Sequence, residues 1–254
     1  MTSFREQHKT ATGENIIPLI SLVMNFTPPT KEKPALLTFN ELTTFMHEFG
    51  HALHGMLSDV TYCSLSGTNV PRDFVELPSQ INENWASDIR LLQSFARHYQ
   101  TGEVIPEILV QKVKDMENFQ AGYLSCRQLA FGFLDMMWHD EAEVDNDLEQ
   151  LETTAMQVVD FFHKVKGICT STSFTHIFSG GYAAGYYGYK WAEVLDADAF
   201  SLFQETGVFN HETASRFHDC ILCRGGSRNA MQMYVDFRGR EPKVEALLKR
   251  SGLL

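Results

Sequence analysis

His47-Glu48-Phe49-Gly50-His51 packs more potential chemistry into five residues than any other stretch of this chain. Two histidines four positions apart lie one turn from each other on a single helix face, so both imidazoles can reach one cation. Catalytic zinc takes two imidazole nitrogens and one carboxylate at about 2.0 to 2.2 Å and keeps a further position for water. The helix supplies two of those ligands, so the third must come from another element. Asp73-Phe74-Val75-Glu76-Leu77-Pro78-Ser79-Gln80 offers it: a second helix crossing the first would present Glu76 as the third ligand. Asp73, three residues earlier on the same expected face, would accept a hydrogen bond from the free nitrogen of His47 or His51 and fix its tautomer. Glu48 stays outside the ligand set. It is placed to act as general base toward a water polarised by the metal, and then as acid toward the leaving group.

Helices must position these groups. Leu42, Phe45, Met46, Phe49, Leu53, Met56 and Leu57 recur at helical spacing, which predicts a helix from Asn40, with Asn40, Thr43 and Thr44 available to cap its start. A second helix is predicted from near Arg72, interrupted around Pro78, because proline lacks the helical donor and clashes with the preceding turn. Between them, residues 59–69 read as a short strand or an irregular crossing. Residues 1–39 read as an extended or loop lead-in, with short β-prone runs from Ile16 to Phe26 and a proline-rich connector at Thr27-Pro28-Pro29-Thr30. Helical periodicity continues over 84–100, 106–122, 124–141, 147–166, 181–199, 211–223 and 241–250, broken at Thr101-Gly102, Gly167, Gly207 and Gly225-Gly226. The expected fold class is mostly α, with 40–254 as the helical core.

A chain of 254 residues with 44% hydrophobic and 21% charged residues has ordinary globular composition, and one large domain over 1–254 is expected. The formal net charge of −11, with Lys and Arg scattered, argues against a nucleic-acid partner. No run of about 18 apolar residues reads as a membrane span, and Met1 to Lys9 is polar where a signal peptide would be apolar. Cysteines at 63, 126, 169, 220 and 223 are too few and too uneven for a disulfide framework, so a reducing compartment, by default the cytoplasm, is expected. Cys220-x-x-Cys223 lacks a second pair to close a tetrahedral site and reads as two ordinary cysteines on a helix. A helix turns His54 partly off the metal face. His98, His139, His163, His211 and His218 have no partner at metal spacing in the sequence and read as structural or surface residues.

The metal motif, Ser66-Gly67-Thr68, and Arg72-Asp73-Phe74-Val75-Glu76-Leu77-Pro78-Ser79-Gln80 together resemble the active site of the thimet oligopeptidase and peptidyl-dipeptidase family of zinc metallopeptidases. So does His176-Ile177-Phe178-Ser179-Gly180-Gly181-Tyr182-Ala183-Ala184-Gly185-Tyr186-Tyr187-Gly188-Tyr189. The ending Asp236-Phe237-Arg238-Gly239-Arg240-Glu241-Pro242 is most similar to the bacterial peptidyl-dipeptidase, or dipeptidyl carboxypeptidase, branch. The resemblance runs from about Asn25 to the C terminus. It implies a multi-helix zincin-type catalytic domain with at most a few short strands near the metal site, and one zinc ion on His47, His51 and Glu76.

The activity implied is hydrolysis of short peptides, with release of C-terminal dipeptides on the named branch and oligoendopeptidase action as the alternative. Carried across by motif, His176, Tyr182 and Tyr189 contact the scissile peptide and its developing oxyanion. A helix would set Tyr182 and Tyr189, seven apart, on one face, and Gly180-Gly181 and Gly185 would let backbone approach a ligand. Tyr186 and Arg224 are candidate substrate contacts, Arg224 or Lys190 being suited to a C-terminal carboxylate. Members of the family are longer chains in which an N-terminal lobe forms the opposite wall of a peptide channel. This chain resembles only the C-terminal catalytic part, so docking of such a lobe or self-association is expected, and an inactive peptide- or zinc-binding fragment is the competing reading.

Overall fold

The first residues are more ordered than a loop lead-in. A computed structural model describes residues 1–140, 147–159, 165 and 167–254. Strand β1 (Thr2–Arg5) pairs antiparallel with β4 (Leu19–Ser21), and β2 (His8–Lys9) with β3 (Asn15–Ile16), giving two small ladders one inside the other. The outer ladder matters to the site because β4 lies on the first helix, α1 (Phe39–Met56). The Cδ1 of Ile20 sits 2.4 Å from where a Cβ on Gly55 would be.

Helix α1 starts one residue earlier than the apolar spacing predicts. Its cap is Thr38, not Asn40: the Thr38 hydroxyl accepts from the Glu41 N–H at 3.2 Å while the Glu41 carboxylate accepts from the Thr38 N–H at 2.7 Å. Reciprocal capping of this kind satisfies two amide donors that a bare helix end leaves unpaired. Thr43 and Thr44 point back along the helix instead, to the carbonyls of Phe39 and Asn40.

The second helix is interrupted around Pro78, as the sequence predicts, with the break itself at Glu76. Helix α2 (Arg72–Val75) ends there and α3 (Leu77–Glu83) begins, with Pro78 in the first turn of α3. Proline is tolerated in that turn because its missing N–H has no helical acceptor to serve. The break faces Glu76 toward α1. Helix α3 then packs closely against α1 at Gly50, where any Cβ would lie 2.3 Å from the Pro78 carbonyl oxygen and 2.6 Å from the Ser79 Cα. The glycine between the two histidines is therefore a contact point between helices.

The remaining helices build the core behind this pair. They are α4 (Ile89–Phe95), α5 (Glu107–Glu117), α6 (Ala121–His139), α7 (Leu148–Met156), α8 (Thr175–Phe178), α9 (Tyr187–Thr206), α10 (His211–Phe217), α11 (Ala230–Arg238) and α12 (Glu245–Arg250). The helix expected over 84–100 is split: Asn84–Ser87 is a 3₁₀ turn, Asp88 caps α4, and the chain then reverses through a bridge between Arg97 and Val104. Residues 59–69 are irregular, with a 3₁₀ turn at Cys63–Leu65. Helix α11, capped by the Asn229 side chain, has no counterpart in the periodicity reading. The far ends of the helices expected over 124–141 and 147–166, and His163, lie outside the described residues.

Two apolar cores result. Phe74, Leu77 and Ile81 from α2 and α3 pack with Leu195, Tyr234 and Phe237 from α9 and α11, all nearly or fully buried. A second cluster joins Leu134, Leu151, Phe174 and Ile177. Each such side chain contributes about 1.5–3 kcal/mol by leaving water. The helix pair bearing the histidines and Glu76 is thus anchored from behind by the larger core. Among the described residues, no helix is long and apolar enough to cross a membrane.

Candidate active site

His47 and His51 project from one face of α1, their rings 4.9 Å apart and nearly perpendicular. Glu76 meets them from the α2–α3 break. Its Oε2 lies 3.3 Å from His47 Nε2 and 3.2 Å from His51 Nε2, and one donor atom from each residue falls within 4.8 Å of the others. Glu76 is buried, and its position is enforced: the Ser79 hydroxyl donates to Oε2 at 2.9 Å, and the Tyr182 hydroxyl donates to Oε1.

Burial works against the Glu76 charge, yet hydrogen bonds from both imidazoles and from Tyr182 hold its carboxyl well below the usual range. Burial likewise opposes a charge on His47, and the Glu76 and Glu83 carboxylates overcome it, pushing the imidazole up to about 10. The donors fit a zinc ion: two nitrogens from α1 and one ionised oxygen from the α2–α3 break converge. A cation on those atoms would carry the counter-charge that the His47 imidazole otherwise carries as a proton.

The carboxylate that orients His47 is Glu83, not Asp73. Glu83 Oε1 lies 2.6 Å from His47 Nδ1, while Asp73 Oδ2 accepts from the Tyr187 hydroxyl at 3.2 Å. The helix break at Glu76 is the reason. Asp73 lies in α2, before the break, whereas Glu83 sits at the end of α3, beyond it and two turns on from Glu76. With α3 starting at Leu77, the seven-residue spacing from Glu76 to Glu83 is the feature of the sequence that marks Glu83. Asn82 adds a tie, donating to the Met46 carbonyl at 2.6 Å. Glu48 lies half-buried beside the histidines, its Oε2 paired with the amino group of Met1. His54 is fully buried, and burial depresses its pKa to about 3, so it stays neutral and outside the converging set.

The tyrosine segment reaches the same place from the other core. His176, on α8, has its ring 6.3, 6.1 and 6.4 Å from those of Tyr182, Tyr186 and Tyr189. Tyr182 and Tyr189 do not share a helix face. Gly181 (φ 78°) and Ala184 (φ 51°) are in the left-handed region, so α9 begins only at Tyr187 and Tyr182 stands in a loop. Their rings nevertheless stack at 4.9 Å. The loop is pinned by buried Asp135 of α6, which accepts from the Ala184 N–H at 3.0 Å and the Tyr186 N–H at 2.8 Å. At Gly180 a Cβ would meet the His176 Cα and carbonyl oxygen at 2.8 Å, so the turn admits only glycine without rearrangement.

Burial and the neighbouring Glu76 charge push the Tyr182 phenol up to about 12, and burial together with Tyr182 raises that of Tyr189 further. Both stay protonated donors at neutral pH. Tyr186 has a different surrounding: its ring packs on Phe131 and Phe174 at 5.9 and 4.8 Å, which makes it a wall between the site and the second core. Arg224 donates from Nε to the Asp219 carbonyl at 2.7 Å, and Lys190 pairs with Glu193. Neither cation is brought to the histidine–glutamate cluster by these contacts.

A helix-borne histidine pair and a carboxylate from the α2–α3 break make a donor set able to hold a metal ion, with Glu48 alongside and the Tyr182 phenol bonded to Glu76. Residues 1–253 match the model of peptidase family M3, and the chain belongs to that family. It is 44% identical to oligopeptidase A of Escherichia coli (strain K12), over 97% of this chain and 37% of that protein. Identity to dipeptidyl carboxypeptidase of the same organism is 40%, over 100% of this chain and 37% of that protein. Saccharolysin of Saccharomyces cerevisiae is 37% identical, over 93% of this chain and 34% of its own length. The chain thus spans little more than a third of the length of these relatives.

Proposed function

We propose that this chain carries the catalytic centre of a zinc-dependent peptidase acting on short peptides. The observation that supports the reading best is the convergence of His47 Nε2, His51 Nε2 and Glu76 Oε2 while Glu48 remains outside that set. Zinc held there would supply Lewis acidity, polarising a peptide carbonyl and making water more acidic. Glu48 then takes the proton of the attacking water and returns it to the departing amine, so one carboxylate serves both halves of the reaction. Tyr189 and His176 stand as donors to the oxygen on which negative charge develops, a kind of interaction worth roughly 3 to 4 kcal/mol where single donors have been removed in other enzymes. Tyr182, hydrogen-bonded to Glu76, also holds the third ligand in place.

The finer reading is release of C-terminal dipeptides, supported by the Asp236-to-Pro242 ending and the 40% identity with dipeptidyl carboxypeptidase. The 44% identity with oligopeptidase A supports internal cleavage as a second reading, as does the engagement of Arg224 and Lys190 elsewhere. Short peptides are the proposed partners, and a docked lobe the proposed far wall of the channel. Five free thiols support a reducing compartment such as the cytoplasm.

The test uses the zinc-loaded chain with one peptide in two forms, free and amidated at its C terminus. Cleavage abolished by a chelator, and reduced about 10²- to 10⁴-fold in Glu48→Gln at unchanged metal content, is the expected result. Resistance of the amidated form alone selects dipeptide release; equal cleavage of both selects internal cleavage. Turnover insensitive to chelator and to Glu48→Gln overturns the proposal, and metal and peptide binding without turnover leaves the binding-fragment reading.

A further inference from the structure

The sequence His218-Asp219-Cys220-Ile221-Leu222-Cys223 carries donor atoms that the peptidase chemistry does not use. Helix α10 gives way to a π-helical turn over His218–Leu222, and the Cys223 N–H donates to the His218 carbonyl at 3.0 Å. In an α-helix, residues five apart point about 140° away from each other. The wider i→i+5 turn instead brings residue 223 over residue 218, and such turns recur at functional sites. One nitrogen of His218, one oxygen of Asp219 and the sulfur of Cys223 consequently lie within 4.8 Å of one another. His218 Nδ1 and Asp219 Oδ1 are hydrogen-bonded at 2.7 Å, a contact that a cation taking both groups would replace.

The three differ in exposure in a way that makes a site. Cys223 is buried, His218 is intermediate and Asp219 is exposed, so the sulfur forms the floor and the mouth opens to water that can complete the coordination. Around it, the Arg224 guanidinium is tied to the Asp219 carbonyl at 2.7 Å, and the Asp59 N–H bonds the Cys223 carbonyl at 2.9 Å. Cys220 stands apart from the converging atoms, so the tempting pair of cysteines is replaced by a different trio. A nitrogen, an oxygen and a thiolate sulfur suit zinc and its first-row neighbours and disfavour magnesium or calcium, which take oxygen throughout.

We infer that His218, Asp219 and Cys223 form a second site for a divalent transition metal such as zinc, sharing no ligand with His47, His51 and Glu76. Coordination releases the Cys223 thiol proton to solvent, so binding tightens as pH rises.

Cobalt(II) titration of the reduced, metal-free chain tests this independently of peptidase activity, because the His47–His51–Glu76 donors contain no sulfur. The expected result is a thiolate-to-cobalt charge-transfer band in the near ultraviolet that grows with a second equivalent of metal. Cys223→Ser abolishes the band and weakens the second equivalent by more than the roughly 10- to 100-fold that losing an outer partner costs. His218→Ala, at a partly exposed position, also loses that equivalent and serves if Cys223→Ser fails to fold. Cys220→Ser and His47→Ala both retain the band. Absence of a thiolate band at saturating cobalt, its survival in Cys223→Ser, or its loss in Cys220→Ser overturns the inference.

Discussion

Glu83 decides which nitrogen of His47 is left for a metal ion held by the proposed site. By holding Nδ1 at 2.6 Å it leaves Nε2 for the cation and raises the basicity of the ring. Replacement by Gln keeps an acceptor but removes the charge, so metal affinity should fall about 10- to 100-fold with the helices intact. Competition against a chelator of known affinity measures this, and an unaltered dissociation constant would contradict the role. At the same scale Tyr182 has a positioning use apart from any contact with substrate. Its hydroxyl fastens Glu76, and its ring stacks on Tyr189.

At the level of elements, the site exists because α1 and α3 approach without a side chain between them at Gly50. Gly50→Ala would improve α1 as an isolated helix yet force the Pro78–Ser79 backbone away. We expect a net loss of about 1–3 kcal/mol, as for other overpacked contacts, together with weaker metal binding. Thermal melts of the metal-free protein alongside metal titration read both effects; a stabilised variant with unchanged metal affinity would refute the close-contact argument. The start of α1 carries a pH signature of its own. Hydrogen bonds from the backbone N–H groups of Thr38 and Thr27 hold Glu41 at about 2, below its ordinary 4.5. A depressed carboxyl stabilises the fold above its unfolded value, and that contribution disappears as pH falls from about 4.5 through 2. Acid unfolding followed by circular dichroism should therefore be shallower over that window in Glu41→Gln, from a lower starting stability, than in the parent.

Across the whole molecule, buried Asp198 ties α9 to the C-terminal segment. It accepts from the Tyr234 hydroxyl at 2.7 Å and takes both terminal nitrogens of Arg240, at 2.9 and 2.6 Å. The Asp236-to-Pro242 motif therefore has a structural use: it closes the larger core rather than reaching into the site. Arg240 is itself partly exposed, so Arg240→Ala leaves the buried Asp198 carboxylate short of a charged donor and should cost about 1–3 kcal/mol. Denaturant unfolding measures that loss, and a cost near zero would show that Arg238, 3.7 Å from Asp198, suffices alone.

The local pattern of residues singled out the candidate ligands, whose donor atoms the fold brings within 4.8 Å of one another. Two histidines at helical spacing and a carboxylate in a following helix could be read without coordinates, because helix geometry is periodic and zinc chemistry is selective. Mostly helical structure was legible for the same reason. Tertiary structure alone decided which carboxylate serves His47, since a break at Glu76 put Asp73 and Glu83 on different sides of it. It also decided that Tyr182 meets Tyr189 from a loop held by Asp135, 49 positions or more away in the chain. The trio of His218, Asp219 and Cys223 was hidden from α-helical spacing for a related reason: the turn joining them is π-helical. Periodicity describes a regular helix; where the backbone departs from it, packing of distant segments determines where side chains meet.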